Sequence, residues 1–175
     1  MIRRILGVLL VVLFLGNPAI ARTKKKLSPR EFAQRFYALL YELKIIGLPN
    51  AEEFKTIAPF LSPSLQKLLF AAKQKQSEYM RKNPTNKPPW IEGDLFSNSM
   101  EEILRYKVGT PEIENSLVRI PVRVTSHEEK FMSRWTDTLL LRRNNSKWVV
   151  TNVIYETQKK SKSYDNLRKI LKAEY

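Results

Sequence analysis

The chain changes its hydrophobic period once, and that change divides it into a helical half and a strand half. Ser28-Pro29-Arg30-Glu31 reads as a capping box, with the serine oxygen on a free N–H, the glutamate reaching back, and proline at the first helical position. Phe32, Phe36, Leu39, Leu40 and Leu43 then recur at helical spacing and predict one apolar stripe, ended by Gly47 with Pro49 beyond. Asn50 and Glu53 offer a second cap before Phe54 and Ile57. Ser62-Pro63 starts a third helix with Leu65, Leu68, Leu69, Ala72 and Tyr79 toward the core. Pro84, Pro88, Pro89 and Gly93 mark residues 83–98 as a loop.

From Ile103 the period is two. Val118, Ile120, Val122 and Val124 alternate with Arg119, Pro121 and Arg123, a half-buried strand in which Pro121 predicts an edge or a bulge. Trp135–Arg143 and Ser146–Tyr155 flank Asn144-Asn145, a type I′ hairpin turn. Counting outward from that turn sets Leu141 opposite Trp148, Leu139 opposite Val150, Asp137 opposite Asn152 and Trp135 opposite Ile154. Asp137 and Asn152 thus meet as the polar pair of a buried face, either a structural pair or part of a wet pocket. A basic connector, Lys159 to Lys162, precedes a short C-terminal helix carrying Leu167, Ile170 and Leu171. The expected fold class is α+β, with N-terminal helices packed in a curved antiparallel sheet and a short C-terminal helix.

The N-terminus adds a location. Ile5 to Gly16 is an apolar run of 12 residues behind Arg3 and Arg4, followed by Asn17-Pro18 and the small-x-small triplet Ala19-Ile20-Ala21. That pattern predicts a signal peptide over residues 1–21, a basic segment over 22–27 and a single domain over 28–175. The run falls short of the ~20 residues that span a bilayer. Arg22, Lys24, Lys25 and Lys26, which hinder export, favour the alternative of an uncleaved membrane anchor. The expected compartment is the periplasm or the exterior of a bacterial cell.

The 175-residue chain has no cysteine, so neither a disulfide nor a cysteine-linked lipid is available. Its formal net charge of +14 becomes +12 once residues 1–21 are removed. Such a charge suits nucleic acid, but export argues against that partner and for anionic lipid, cell-wall polymer or an acidic protein. His127, between Ser126 and Glu128-Glu129, is the single histidine; it lacks metal partners and an obvious nucleophile. With no phosphate loop and no paired histidines, no cofactor and no metal are expected. Asn144-Asn145-Ser146 fits a glycosylation sequon but occupies a tight turn. The stretch Pro88 to Phe96 either covers the open end of the core with Trp90 and Phe96 or forms the lip of a pocket.

These features together resemble the nuclear transport factor 2-like superfamily, and in particular its bacterial secreted proteins of unknown function. The resemblance rests on the aromatic first helix (Phe32, Phe36, Tyr37), Leu61-Ser62-Pro63, Gly93-Asp94 with Phe96, and the closing strand that begins at Trp148. It spans residues 27–172, with Thr151-Asn152 standing where relatives often carry acids. It implies a bent sheet around a long helix with a pocket at the wide end, used in some relatives by an acid with histidine or tyrosine and in many only for binding.

Three functions follow as expectations. The first is an exported, non-enzymatic binding protein for a small apolar or amphipathic ligand or a protein partner, with Trp90, Asp94, Phe96, Tyr106, Trp135, Asp137 and Asn152 as its ligand-binding residues. The second is a cofactor-free lyase or isomerase with Asp137 as catalytic base and Tyr106 or Asn152 assisting. The third is a basic cell-envelope interaction protein.

Overall fold

The computed structural model describes residues 26–97, 99–128, 131–155 and 166–174. The expected leader 1–21, the basic segment before Lys26 and the connector 159–162 lie outside the described residues.

Helix α1 spans Pro29–Leu43, and both halves of its capping box are formed. The Ser28 hydroxyl accepts from the Glu31 N–H at 3.2 Å, and the Glu31 carboxylate accepts from the Ser28 N–H at 2.8 Å. The stripe of α1 buries Phe32, Ala33, Phe36, Tyr37 and Leu40. The helix stops earlier than expected, at Lys44, which takes the left-handed conformation with φ 47° and ψ 48°. Gly47 has a different task. Its φ is +68°, its N–H bonds the Gly93 carbonyl, and a Cβ there would stand 2.2 Å from the Trp90 carbonyl oxygen. Glycine is needed where the loop crosses that closely.

Asn50 and Glu53 form the second capping box, opening α2 over Ala51–Ile57. A 3-10 turn over Ala58–Phe60 follows. Ser62 caps α3, Pro63–Lys82, whose Leu65, Leu69, Ala72 and Gln76 are buried; Tyr79 is only half-buried. The Gln76 amide donates to the Pro89 carbonyl at 2.6 Å and ties the proline-rich loop to this helix.

The strands are β1 (Ile103–Val108), β2 (Glu112–Glu114), β3 (Leu117–Glu128), β4 (Phe131–Asn144) and β5 (Lys147–Ile154). They form an open antiparallel sheet of order β1-β3-β4-β5, with β2 also pairing β3. Strand β3 is central, which corrects the edge expected at Pro121; the irregularity expected there lies on the β1–β2 side, where three residues (109–111) stand opposite two (120–121). The neighbour of β3 changes there, the last β1 pair being Val108 with Val122 and the nearest β2 pair Glu112 with Arg119. The Pro121 carbonyl accepts from Gly109 at 2.8 Å, on the side where the chain leaves β1. The donor that proline lacks faces that gap, so no ladder bond is lost.

The hairpin also differs from the count. Asn145 and Ser146, with φ 46° and 66°, are the turn residues, and Asn144 pairs with Lys147. Arg143 then pairs with Trp148 and Leu141 with Val150. A register shift between Leu140 and Leu141 next sets Leu140 against Asn152 and Leu139 against Val153. A bulge inserts one residue and reverses the faces beyond it. Asp137 therefore shares a face with buried Leu139 and Leu141, while Asn152 lies on the opposite one. The expected Asp137–Asn152 pair does not exist. The cross-strand neighbour of Asp137 is Val122, on β3.

Helix α4, Leu167–Ile170, closes the chain against β5 with Asn166 as its cap. The inner sheet face (Ile120, Val122, Leu139, Leu141, Val150, Val153) packs with Phe36, Leu65 and Leu167 in one hydrophobic cluster. The architecture is α+β.

Candidate functional site

A cavity of about 290 Å³ opens where the last turn of α1 passes the start of β1. Its walls are apolar on the helix side, from Leu40, Tyr41, Ile45 and Ile46, and on the strand side from Met100 and Ile103. Asp94 and Tyr106 supply a polar wall, and Lys44, Glu101 and Glu102 stand around it. Lys44 pairs with Glu102 at 3.1 Å, but both side chains are about two-thirds exposed, so the pair adds little stability.

Asp94 owes its position to a tight loop. Gly93 has φ +70°, and a Cβ there would lie 2.5 Å from the Ser99 carbonyl oxygen. The Asp94 N–H donates to that same oxygen at 2.6 Å. One carboxylate oxygen accepts from the Phe96 N–H at 2.7 Å. The other accepts from the Ser97 hydroxyl at 2.8 Å and from the Tyr106 hydroxyl. Burial pushes the Asp94 carboxyl up, against the pull of these three bonds. Burial first, then the neighbouring Asp94 charge, pushes the Tyr106 hydroxyl up as well.

Behind this pair the polar groups continue inward. The Tyr37 ring lies 4.7 Å from that of Tyr106, and its hydroxyl is buried with no hydrogen-bond partner among the described residues. Burial raises the Tyr37 hydroxyl pKa, and the charges of Asp137 and Asp94 add to the effect. The Trp135 indole N–H donates to Asp137 at 3.1 Å and to the Ser97 carbonyl at 3.2 Å. Ser97 thus joins the two carboxylates, its hydroxyl on Asp94 and its carbonyl on the indole that reaches Asp137. Tyr155 donates to the Leu95 carbonyl at 2.6 Å, and burial raises its hydroxyl pKa too.

The expected site residues separate into three places. Asp94 and Tyr106 meet on the cavity wall. Half-buried Trp135 meets Asp137 away from the cavity, and Asp137, 1 % exposed, is not part of that wall. Trp90, Phe96 and Asn152 go elsewhere. Trp90 is buried and donates to the Ile170 carbonyl at 3.1 Å, under α4. Phe96 packs edge-on against Phe36, with centroids 5.5 Å apart. These two rings pack into the core, while Gly93 and Asp94 of the same stretch line the cavity. The Asn152 side chain accepts from the Arg168 N–H at 3.1 Å and donates to Asn166 at 3.2 Å, holding α4. His127 is exposed. Among the described residues no cluster of histidine and acidic side chains is placed to hold a metal ion, and no helix is long and apolar enough to cross a membrane.

The sequence pattern did not single out Lys44, Met100, Glu101 or Glu102 as site residues. Lys44 lies just off the apolar stripe, and the other three occupy a loop with no periodicity. Tyr37 stood out only as one more aromatic beside Phe36.

No protein-family model matches the chain, and no curated protein matches it. A search of solved structures finds similarity to a SEC-C motif containing protein from Rhodopseudomonas palustris, at 14 % identity and a TM-score of 0.43. The match covers 74 % of this chain and 80 % of that one. At that level the likeness lends nothing to the reading of the site. These findings correct the expected membership of the nuclear transport factor 2-like superfamily, for which no family model speaks. The physical reason lies in the motifs that carried the resemblance. Leu61-Ser62-Pro63 is a helix cap with proline at the first position, and Gly93-Asp94 is a turn closed on Ser99. Such local solutions are open to many folds.

Proposed function

We propose that the protein is an exported binding module whose cavity between α1 and β1 takes a small amphipathic ligand. The observation that carries this reading is the combination of apolar walls with one fixed polar wall, Asp94 with Tyr106, in a space of about 290 Å³. That volume sits at the small end of ligand pockets, and few polar groups against many apolar ones is their usual composition. The apolar rim is unusually bare: Ile46 and Met100 are 70 % and 67 % exposed.

Charge selects the ligand's head group. The lining has three acids, Asp94, Glu101 and Glu102, against Lys44, in a chain of net charge +14. A neutral or cationic head fits that wall better than an anionic one. Asp137, 1 % exposed and bonded to Trp135, does not line the cavity, which supports the binding reading over a lyase or isomerase with Asp137 as base.

Displacement of the neutral fluorescent probe Nile red by decylamine, decanol and decanoic acid tests the proposal. The expected order of affinity is amine and alcohol above acid. Ile103→Trp, which fills the cavity, should abolish probe binding while the far-ultraviolet circular dichroism stays unchanged. Failure of the native protein to bind the probe, or equal binding by the Ile103→Trp variant, would sink the reading.

A further inference from the structure

The outward face of the sheet carries a second pattern, independent of the cavity. On β3, Val118, Ile120, Val122 and Val124 are buried while Arg119 and Arg123 point the other way and are exposed. Lys107 on β1 stands directly opposite Arg123. Thr125 lies between Arg105 on one side and Arg134 on the other. Arg142 extends the row toward the hairpin turn, and all these cations are exposed. Like charges placed directly opposite each other destabilise a sheet. Among the described residues the acids on this face are confined to β2, where Glu114 engages Arg119 at 3.6 Å. Among the described residues, Arg105, Lys107, Arg123, Arg134 and Arg142 form no ion pair. The face keeps uncompensated repulsion that an anionic partner would relieve.

We propose that this sheet face docks on the anionic headgroups of a lipid bilayer. Two observations choose a bilayer over a soluble polyanion. The Trp148 indole on β5 donates to the Leu27 carbonyl at 3.1 Å, so the incoming chain is held at the hairpin end of the sheet. Upstream of Leu27 the sequence runs through Lys26, Lys25, Lys24 and Arg22 to the apolar run of residues 5–16, which only the uncleaved, anchored form of the chain retains, and it is to that form that the docking applies. The ten residues from Asn17 to Lys26 span at most about 35 Å, so a membrane that receives the run lies within reach of the face. Basic residues beside a membrane-inserting segment add attraction to anionic lipid.

The absence of cysteine allows a unique label on this face. Thr136 is exposed and stands opposite Arg123, so Thr136→Cys in the full chain takes one fluorophore. Vesicles of phosphatidylcholine alone and vesicles containing phosphatidylglycerol, each with a headgroup quencher, then report contact of the face. The apolar run can bring the chain to both, so contact and not co-sedimentation is the readout. Quenching is expected with the phosphatidylglycerol vesicles and should weaken several-fold in high salt. Combining Lys107→Gln, Arg123→Gln and Arg134→Gln should weaken the contact on the order of a hundredfold. Those changes relieve a like-charge opposition, so an undiminished thermal midpoint separates lost docking from lost folding. Equal quenching by the two vesicle types, or quenching indifferent to the triple change, overturns the proposal. So does binding to soluble polyphosphate without vesicle contact, which would assign the face to a soluble polyanion.

Discussion

Tyr37 and Tyr106 lie with ring centroids 4.7 Å apart, yet their hydroxyls meet opposite conditions. Tyr106 donates to Asp94, whereas the Tyr37 hydroxyl is enclosed without a partner among the described residues. An enclosed hydroxyl without a partner keeps its desolvation cost, so Tyr37→Phe should stabilise the protein by about 1 kcal/mol. Tyr106→Phe takes a donor from a carboxylate and should destabilise by about 1–3 kcal/mol. Urea unfolding midpoints of the two variants should move in opposite directions, and a shared direction would refute the assignment.

Asp94 predicts a pH dependence of definite sign. In the unfolded chain its carboxyl ionises near the ordinary value of 3.8, and in the folded protein burial holds it higher. Between those two values the unfolded state has released its proton while the folded state keeps it. Stability from this group is therefore complete below 3.8 and is lost as pH rises through the folded value. Asp94→Asn lacks that loss. The unfolding free energy of the native protein minus that of the variant should fall as pH rises from below 3.8 toward neutrality. A difference that stays level or climbs would contradict the burial argument.

Asn152 should behave as a tether of α4, separate from Asp137. Its side chain accepts from Arg168 and donates to Asn166. Asn152→Leu should cost about 1–3 kcal/mol, the range for two lost hydrogen bonds. Hydrogen exchange should speed up at Arg168 and Leu171, while the amides of β4 around Asp137 keep their protection. Exchange that rises at β4 instead would restore the facing pair that the bulge removes.

Two residues of α1 and its cap separate packing from backbone strain. Phe36 is fully buried against Tyr37, Phe60 and Phe96. Phe36→Ala should cost about 3–5 kcal/mol. Lys44 holds the left-handed cap at φ 47°, a conformation glycine adopts without strain. Lys44→Gly should therefore be neutral or stabilise by up to about 1 kcal/mol, even with the exposed Glu102 bridge removed. Thermal unfolding of both variants checks this, and a loss of several kcal/mol from Lys44→Gly would show that the bridge matters more than the backbone.

The sequence alone determined the features whose physics is local. Ser28 with Glu31 and Asn50 with Glu53 close hydrogen bonds within four residues, so both capping boxes could be read directly, as could the face that buries Phe36. The alternation of β3 likewise assigned Val118, Ile120, Val122 and Val124 to the core and the arginines to the outside. What depended on partners distant in the chain was decided by the tertiary structure. The turn settled on Asn145-Ser146, and the bulge between the pairs of Leu141 and Leu140 turned Asn152 away from Asp137. A bulge is set by how both strands meet the core and α4, and neither strand's own alternation encodes it. Pro121 escaped the edge because β1 departs where its N–H is missing, which no reading of β3 alone contains. Asp94 and Tyr106 were each visible as polar residues near the first strand, but their hydrogen bond needed the Gly93 turn to carry the carboxylate back over β1. Side-chain chemistry was legible residue by residue, while the cavity wall that joins it to Leu40, Ile45 and Met100 came from folding, because a cavity belongs to surfaces that meet and not to any segment.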